Sequence, residues 1–117
     1  MTRQELLDFH KAFCARGLEI MAKKNNDYAG SSGTTPFANF ESTELLGITT
    51  VEKGFLVRIV DKIKRLITFS NDGKLAVTNE SADDACLDIL NYCVLLAAYI
   101  MDKRVNKMKQ AVEEKKV

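Results

Sequence analysis

A stripe of acidic and amide side chains runs along an otherwise apolar segment, ESADDACLDILNYCVLLAAYIM, which begins at Glu80 and ends at Met101. In a helix with about 100° of rotation per residue, four of these polar side chains fall within an arc of about 80°. They are Glu80, Asp84, Asp88 and Asn91. A carboxylate in apolar surroundings is costly unless a cation or hydrogen-bond donors pair with it. The rest of the chain must therefore supply a cationic surface, a metal ion or both.

The three carboxylates of this stripe are candidate ligands of a divalent metal ion. Mg²⁺ prefers a few carboxylate oxygens and keeps its remaining positions for water and substrate phosphate. We therefore predict that Glu80, Asp84 and Asp88 are metal-binding and catalytic residues, with Mg²⁺ as the cofactor. An alternative exists for the first turn, because Ser81 and Asp84 form a capping-box pattern and acidic residues suit a helix N-terminus. Asp88 lies two turns further along, where capping does not explain it.

A second stripe consists of cationic side chains on an earlier helical segment. Arg58, Lys62 and Arg65 share an arc of about 60° at helical spacing. If this face lies opposite the acidic one, its guanidinium and ammonium groups can hold the phosphates of a metal-bound nucleotide. Two alternatives stay open: the stripe is a solvated helix face, or it forms salt bridges directly with the acidic stripe.

A polar segment after the first predicted helix combines side chains that suit a nucleotide site. Lys24 can contact phosphate, Asn25 can hydrogen-bond a base edge, and Tyr28 can stack on a base. Asp27 lies beside them, in a loop that we expect to close over the ligand. The alternative is that these four residues serve only as turn chemistry.

The periodicity of apolar residues predicts one all-α domain over 1–117, a bundle of three long helices joined by short turns. The three predicted helices cover residues 3–24, 49–69 and 80–101. We expect the second of them to begin at a capping box of Thr49 and Glu52. The prediction also includes a helical turn at 42–46, an extended stretch at 74–78 and a basic helical extension at 102–117.

Composition narrows the classes of partner and compartment. The chain has 117 residues, a hydrophobic fraction of 46% and a net charge of +1, which gives no reason to expect a nucleic-acid polymer or a membrane as partner. Because the apolar run 85–101 contains Asp88 and Asn91, we expect a buried helix rather than a membrane span. Cys86 and Cys93 are expected to be small core residues of this helix. The N-terminal segment has no apolar signal, so we expect a cytoplasmic protein.

Apolar stripes on three helices are more surface than a chain this short can bury. We therefore expect the chain to associate with itself, as a homodimer or a larger assembly.

Three segments of the chain carry a resemblance to a known family. They are KKNNDYAG at 23–30, RIVDKIKRL at 58–66 and NESADDACLDILNYCVLL at 79–96. In order and spacing they resemble the nucleotide modification associated domain family of phages and bacteria. That family has a Lys-Asn-x-Asp-Tyr-Gly segment, an Arg-Ile-x-Asp-Lys helix and a Glu-Ser-x-x-Asp-x-x-x-Asp-x-x-Asn-Tyr helix. The third segment is the most specific, and it adds Asn91 to the predicted substrate contacts.

The family is in turn distantly similar to the MazG-like and dimeric dUTPase group of all-α nucleotide pyrophosphohydrolases, which are oligomeric and magnesium-dependent. The chain departs from both patterns, with Ala29 before Gly30 and no Glu-Glu-x-x-Glu in its first half. The resemblance implies Mg²⁺-dependent hydrolysis of a (deoxy)nucleotide phosphate in a bacterial or phage-infected cytoplasm. The alternatives are a module that binds a nucleotide without hydrolysing it, and a purely structural helical oligomer.

Overall fold

The structure is a computed structural model that describes residues 1–29, 35–75 and 81–116, without the side chains of 26–29. In these ranges every regular element is an α-helix, so the predicted all-α class is confirmed. The helices are α1 (Arg3–Ala29), α2 (Ala38–Leu45), α3 (Val51–Asp72) and α4 (Ala82–Lys115). The extended stretch that we predicted at 74–78 lies mostly outside the described residues.

Side-chain caps fix where α3 and α4 begin. Ser81 and Asp84 form the capping box that the sequence predicted, with each side chain bonded to the backbone N–H of the other residue. For α3 the predicted cap is wrong by one residue. Thr50, not Thr49, is the N-cap, and its hydroxyl accepts from the Lys53 N–H. Either threonine precedes the same apolar run, and only the backbone angles decide between them.

Two helices extend beyond their predicted ends. The first continues to Ala29 rather than ending at residue 24, so Lys24 and Asn25 lie on a helix and not in a loop. No glycine or proline interrupts the chain between Gly17 and Gly30, which explains the extension. Helix α3 reaches Asp72 and ends at Gly73, whose positive φ of 74° is a conformation that glycine adopts without strain.

Helices α3 and α4 pack side by side and run in opposite directions. Lys62 near the middle of α3 pairs with Asp88 near the start of α4, whereas Glu52 at the start of α3 pairs with Lys103. The most deeply buried side chain between the helices is that of Phe55. The ring of Phe40 from α2 stacks on it at 3.8 Å between centroids. Thus α2 is held against α3 mainly through aromatic packing.

Helix α1 contacts α4 closely at Gly17, where the missing side chain lets the two helices approach. A Cβ atom at Gly17 would lie 3.0 Å from Asn91 Oδ1 and 3.3 Å from Leu87 Cδ1. The Asn91 side chain donates to the Gly17 carbonyl over 3.1 Å. This hydrogen bond joins two helices far apart in sequence and fixes how α1 lies over the start of α4.

The molecule is elongated and leaves much apolar surface uncovered. Its radius of gyration is 17.9 Å, whereas a compact chain of this length has about 13 Å. The prediction that Cys86 and Cys93 are core residues is wrong for the single chain, since both are exposed. They lie on a face of α4 that no other described element covers. By length and hydropathy alone, α4 also contains a stretch that could cross a membrane.

Candidate functional site

A cavity of about 540 Å³ lies where the four helices meet. This size suits a small-molecule site. Five predicted site residues line it, from three different helices: Lys24, Asn25, Arg58, Asp88 and Asn91. Asp88 of the acidic stripe and Arg58 of the basic stripe therefore line one cavity, and the roles predicted for them stay predictions.

Asp88 is the centre of the polar end of this cavity. Its Oδ2 lies 3.0 Å from Lys62 Nζ and its Oδ1 lies 3.9 Å from Lys24 Nζ. The Lys62 side chain is only 16% exposed and that of Asp88 24%, so solvent screens this pair less than a surface pair. Two cations thus pair with one carboxylate, and Arg58 lines the same cavity, which favours an additional anion there.

Apolar and aromatic side chains form another part of the cavity wall. Phe40 and Tyr92 line it with their ring centroids 6.5 Å apart and nearly perpendicular, and Met21, Val57 and Leu95 complete the wall. Threonine and asparagine side chains also line the cavity. The cavity can therefore accept a ligand with an anionic group at one end and a flat or apolar group at the other.

The two amide side chains predicted as substrate contacts each donate one hydrogen bond to a backbone carbonyl of the protein. Asn25 Nδ2 donates to the Pro36 carbonyl over 3.3 Å, which ties α1 to the chain before α2. Asn91 Nδ2 donates to the Gly17 carbonyl. Each amide keeps its second N–H and its carbonyl oxygen for other partners.

Asp84 is separated from Asp88 by its own partners and does not line the cavity. Its side chain accepts from the Ser81 N–H over 3.2 Å and from the Arg16 guanidinium over 3.0 Å. The hydrogen bonds from Ser81, and then the charge of Arg16, lower the pKa of Asp84 below its usual 3.8. In this state Asp84 caps α4 and anchors α1.

Of the remaining predicted site residues, Lys62 and Arg65 are described and do not line the cavity. Arg65 Nε lies 3.8 Å from Asp61 Oδ2 on the same helix. Lys62 contacts the site through Asp88. Glu80 and the side chains of Asp27 and Tyr28 lie outside the described residues, so their assignments stay predictions.

A magnesium site formed by Glu80, Asp84 and Asp88 also stays a prediction. Among residues 1–29, 35–75 and 81–116, no three histidine, cysteine or acidic side chains are close enough together to hold a metal ion. The carboxylates of Asp84 and Asp88 are of the ligand type that Mg²⁺ prefers, and they lie one turn apart on α4. Both are engaged with cationic side chains, which a metal ion would have to displace.

Sequence reasoning missed the aromatic wall and the partner of Asp84. Phe37 and Phe40 stand three residues apart, a spacing that favours packing of this segment onto the body but does not reveal that Phe40 lines a cavity. Arg16 looks like any exposed residue of α1, and it meets Asp84 68 positions away. No local pattern contains that information.

Comparison with protein-family models, curated proteins and solved structures found no match for this chain. The case for function therefore depends on the chain's own residues and on the cavity that they form.

Proposed function

We propose that the chain is a Mg²⁺-dependent nucleotide phosphohydrolase whose substrate binds in this cavity. The observation that carries the proposal is that Lys24 and Lys62 pair with Asp88 at a cavity that is also lined by Arg58 and by the rings of Phe40 and Tyr92. A nucleotide combines the two matching groups, because it carries anionic phosphates at one end and a flat base at the other.

The phosphates bind at the cationic end. Lys24 and Lys62 exchange their contacts with Asp88 for phosphate oxygens, and Arg58 contributes a guanidinium that can bind two oxygens at once. This exchange leaves the Asp88 carboxylate without its cations and favours a metal ion beside it. Substrate binding and metal binding are therefore expected to support each other.

The nucleoside lies against Phe40 and Tyr92, and Asn25 hydrogen-bonds the base edge with its free N–H or carbonyl. Burial of one base face against an aromatic wall stabilises binding without selecting a particular base. Selectivity then depends on Asn25, Asn39 and the threonine side chains in the lining. Asp27 and Tyr28, two and three residues after Asn25, are further proposed contacts of the nucleoside.

Hydrolysis requires a metal ion and a water molecule. Glu80, Asp84 and Asp88 are the proposed ligands of Mg²⁺, which supplies charge neutralisation and a more acidic bound water. For Asp84 to take part, it must release Arg16. We further propose that the active form is a cytoplasmic homodimer or a larger assembly.

A second candidate is a module that binds a nucleotide without cleaving it. The observation that favours it is Asp84, which is committed to capping α4 and to Arg16. If Asp84 keeps these contacts when a ligand is bound, Asp88 is the one described carboxylate left at the cavity. A single carboxylate is a weak ligand set for a catalytic metal ion. A third candidate, a structural helical oligomer, is favoured by the direct Lys62–Asp88 pair.

One experiment separates these candidates. Thermal stability is measured with nucleoside mono-, di- and triphosphates, each with and without Mg²⁺, and stabilising ligands are incubated and analysed for product. A Mg²⁺-dependent shift with release of phosphate or pyrophosphate supports the hydrolase. A shift with the ligand recovered intact supports the binding module, and no shift with any nucleotide would contradict both.

A further inference from the structure

The side of the molecule away from the cavity carries an apolar face that no described element covers. Its α3 part consists of four large residues at steps of four, three and four: Leu56, Val60, Ile63 and Ile67. All four are 42–54% exposed, and at helical spacing they fall within an arc of about 60°. This is the periodicity of a helix that packs against another helix.

Helix α4 continues the same face. Its exposed Cys86, Cys93 and Ala97 and the half-buried Ile100 lie within an arc of about 60°. These residues are rotated from the side chains that line the cavity by about 140° on α3 and about 160° on α4. Since α3 and α4 pack side by side, the two arcs form one continuous surface, called here the distal face.

We infer that a second copy of this chain covers the distal face, giving a four-helix arrangement of two α3–α4 pairs. Within 56–67 and 86–100 neither arc contains a charged residue, as is typical of the core of a protein interface. A face formed by two antiparallel helices can pack on a copy of itself about a two-fold axis, because the same side chains then meet on both sides.

The surface area of the chain agrees with this occupant. It exposes 9103 Å², whereas a compact monomer of its mass exposes about 6,400 Å². The difference of about 2,700 Å² exceeds the 800 Å² or so that each partner buries in an interface of standard size. Association through the distal face also gives Cys86 and Cys93 the buried environment that small apolar residues usually have.

The distal face and the cavity lie on different sides of α3 and α4. The inference rests on the proposed function only for self-association, and it does not depend on nucleotide binding or hydrolysis in the cavity, so the two can fail separately. It concerns which side of the chain associates, and it leaves the cavity accessible in the assembly.

The test compares single charge insertions in the full-length chain by sedimentation velocity. Ile63→Glu places a carboxylate in the distal face, and we expect it to convert a wild-type dimer or larger species to monomer. Two controls put the same charge on other exposed apolar positions. Leu45→Glu lies on α2 at a residue that is 87% exposed, and Met108→Glu lies on the extension of α4 at one that is 69% exposed. Both are expected to keep the wild-type mass.

A second measurement, cysteine labelling, can be made on the wild-type protein and therefore does not depend on whether a variant folds. In the native wild-type protein, Cys86 and Cys93 should react with a maleimide at least about tenfold more slowly than in urea, because the partner covers them. In Ile63→Glu they should react rapidly while circular dichroism remains helical.

Four results would overturn the inference. They are a monomeric wild type, an Ile63→Glu variant with wild-type mass, dissociation by Met108→Glu alone, and rapid labelling of both cysteines in the wild-type oligomer. A monomer that binds phosphatidylcholine vesicles would assign the face to lipid instead.

Discussion

Lys62 Nζ lies 3.0 Å from Asp88 Oδ2, and this ion pair joins α3 to α4 beside the cavity. Both side chains are sheltered from solvent, and Lys24 approaches the other carboxylate oxygen from α1. One carboxylate thus holds cations from two helices close to the place where a phosphate would bind. In the free protein these contacts hold the helices together. When an anionic ligand binds, the same cations can contact the ligand instead.

Removing the charge of Asp88 separates these two roles. Asp88→Asn keeps an oxygen for Lys62, so we expect a folded protein that is less stable by about 1 kcal/mol. If Asp88 binds the metal ion, the variant should lose turnover and the Mg²⁺-dependent part of nucleotide stabilisation. Thermal shift and product chromatography measure both effects. Full activity in this variant would exclude Asp88 as a metal ligand.

Replacement of Lys62 tests the phosphate end of the cavity. Lys62→Ala should weaken nucleotide binding by about 10- to 100-fold, because a hydrogen bond to a charged group contributes about 1.5–3 kcal/mol. Lys64→Ala is the matched control, since Lys64 is exposed on the same helix and lies about 160° around it from Lys62, which pairs with Asp88. Isothermal titration with the best-binding nucleotide measures both. Equal losses in the two variants would indicate a general charge effect rather than a specific contact.

The fold class and most helix positions could be predicted from the sequence because they depend on local patterns. Apolar residues at three- and four-residue steps define the helices, and Ser81 with Asp84 defines the start of α4. The end of α1 was placed too early because paired lysines and asparagines resemble a helix terminus. In fact the helix continues to Ala29.

The site was predictable in part, since residues on one helix face stay together wherever that helix packs. Asp88 and Asn91 reached the cavity together for this reason. Asp84 did not, because its partners are set by the crossing of α1 and α4, which brings Arg16 to it. The exposure of Cys86 could not be predicted either. An apolar pattern indicates that a helix face is buried, but it does not say whether the same chain or a partner buries it.

Gly17 offers a test of the crossing between α1 and α4. Gly17→Ala adds a Cβ atom 3.0 Å from Asn91 Oδ1 and 3.3 Å from Leu87 Cδ1. Relieving that crowding would disturb the Asn91–Gly17 hydrogen bond. We expect a net loss of about 1–3 kcal/mol, even though alanine is the better helix former.

Gly54→Ala is the control for this helix effect. Its added Cβ would lie 3.4 Å from Phe40 Cδ1, an ordinary contact distance, so the gain in helix propensity should stabilise the protein by about 0.5–1 kcal/mol. Urea denaturation measures both variants. If Gly17→Ala were as stable as Gly54→Ala, the close crossing of α1 and α4 would be wrong.

The cap of α4 predicts a pH dependence through Asp84. Because hydrogen bonds from Ser81 and the charge of Arg16 lower its pKa in the folded state, the carboxylate stabilises the fold fully at pH values above its usual 3.8. That contribution is lost as the pH falls through the lowered folded-state pKa. The stability difference between wild type and Asp84→Asn should therefore be clear at about pH 7 and nearly vanish at about pH 2.

Two serine variants test whether the stability change comes from the cap of α4 or from removal of any serine hydroxyl. Ser81→Ala should cost about 1 kcal/mol at neutral pH, because it removes the N-cap acceptor of the Asp84 N–H. Ser42→Ala should change little, since its hydroxyl donates to the Ala38 carbonyl within α2. Urea midpoints across the acid range measure all three variants. A difference between wild type and Asp84→Asn that stayed constant from neutral to acid pH would mean that the carboxylate charge does not stabilise α4.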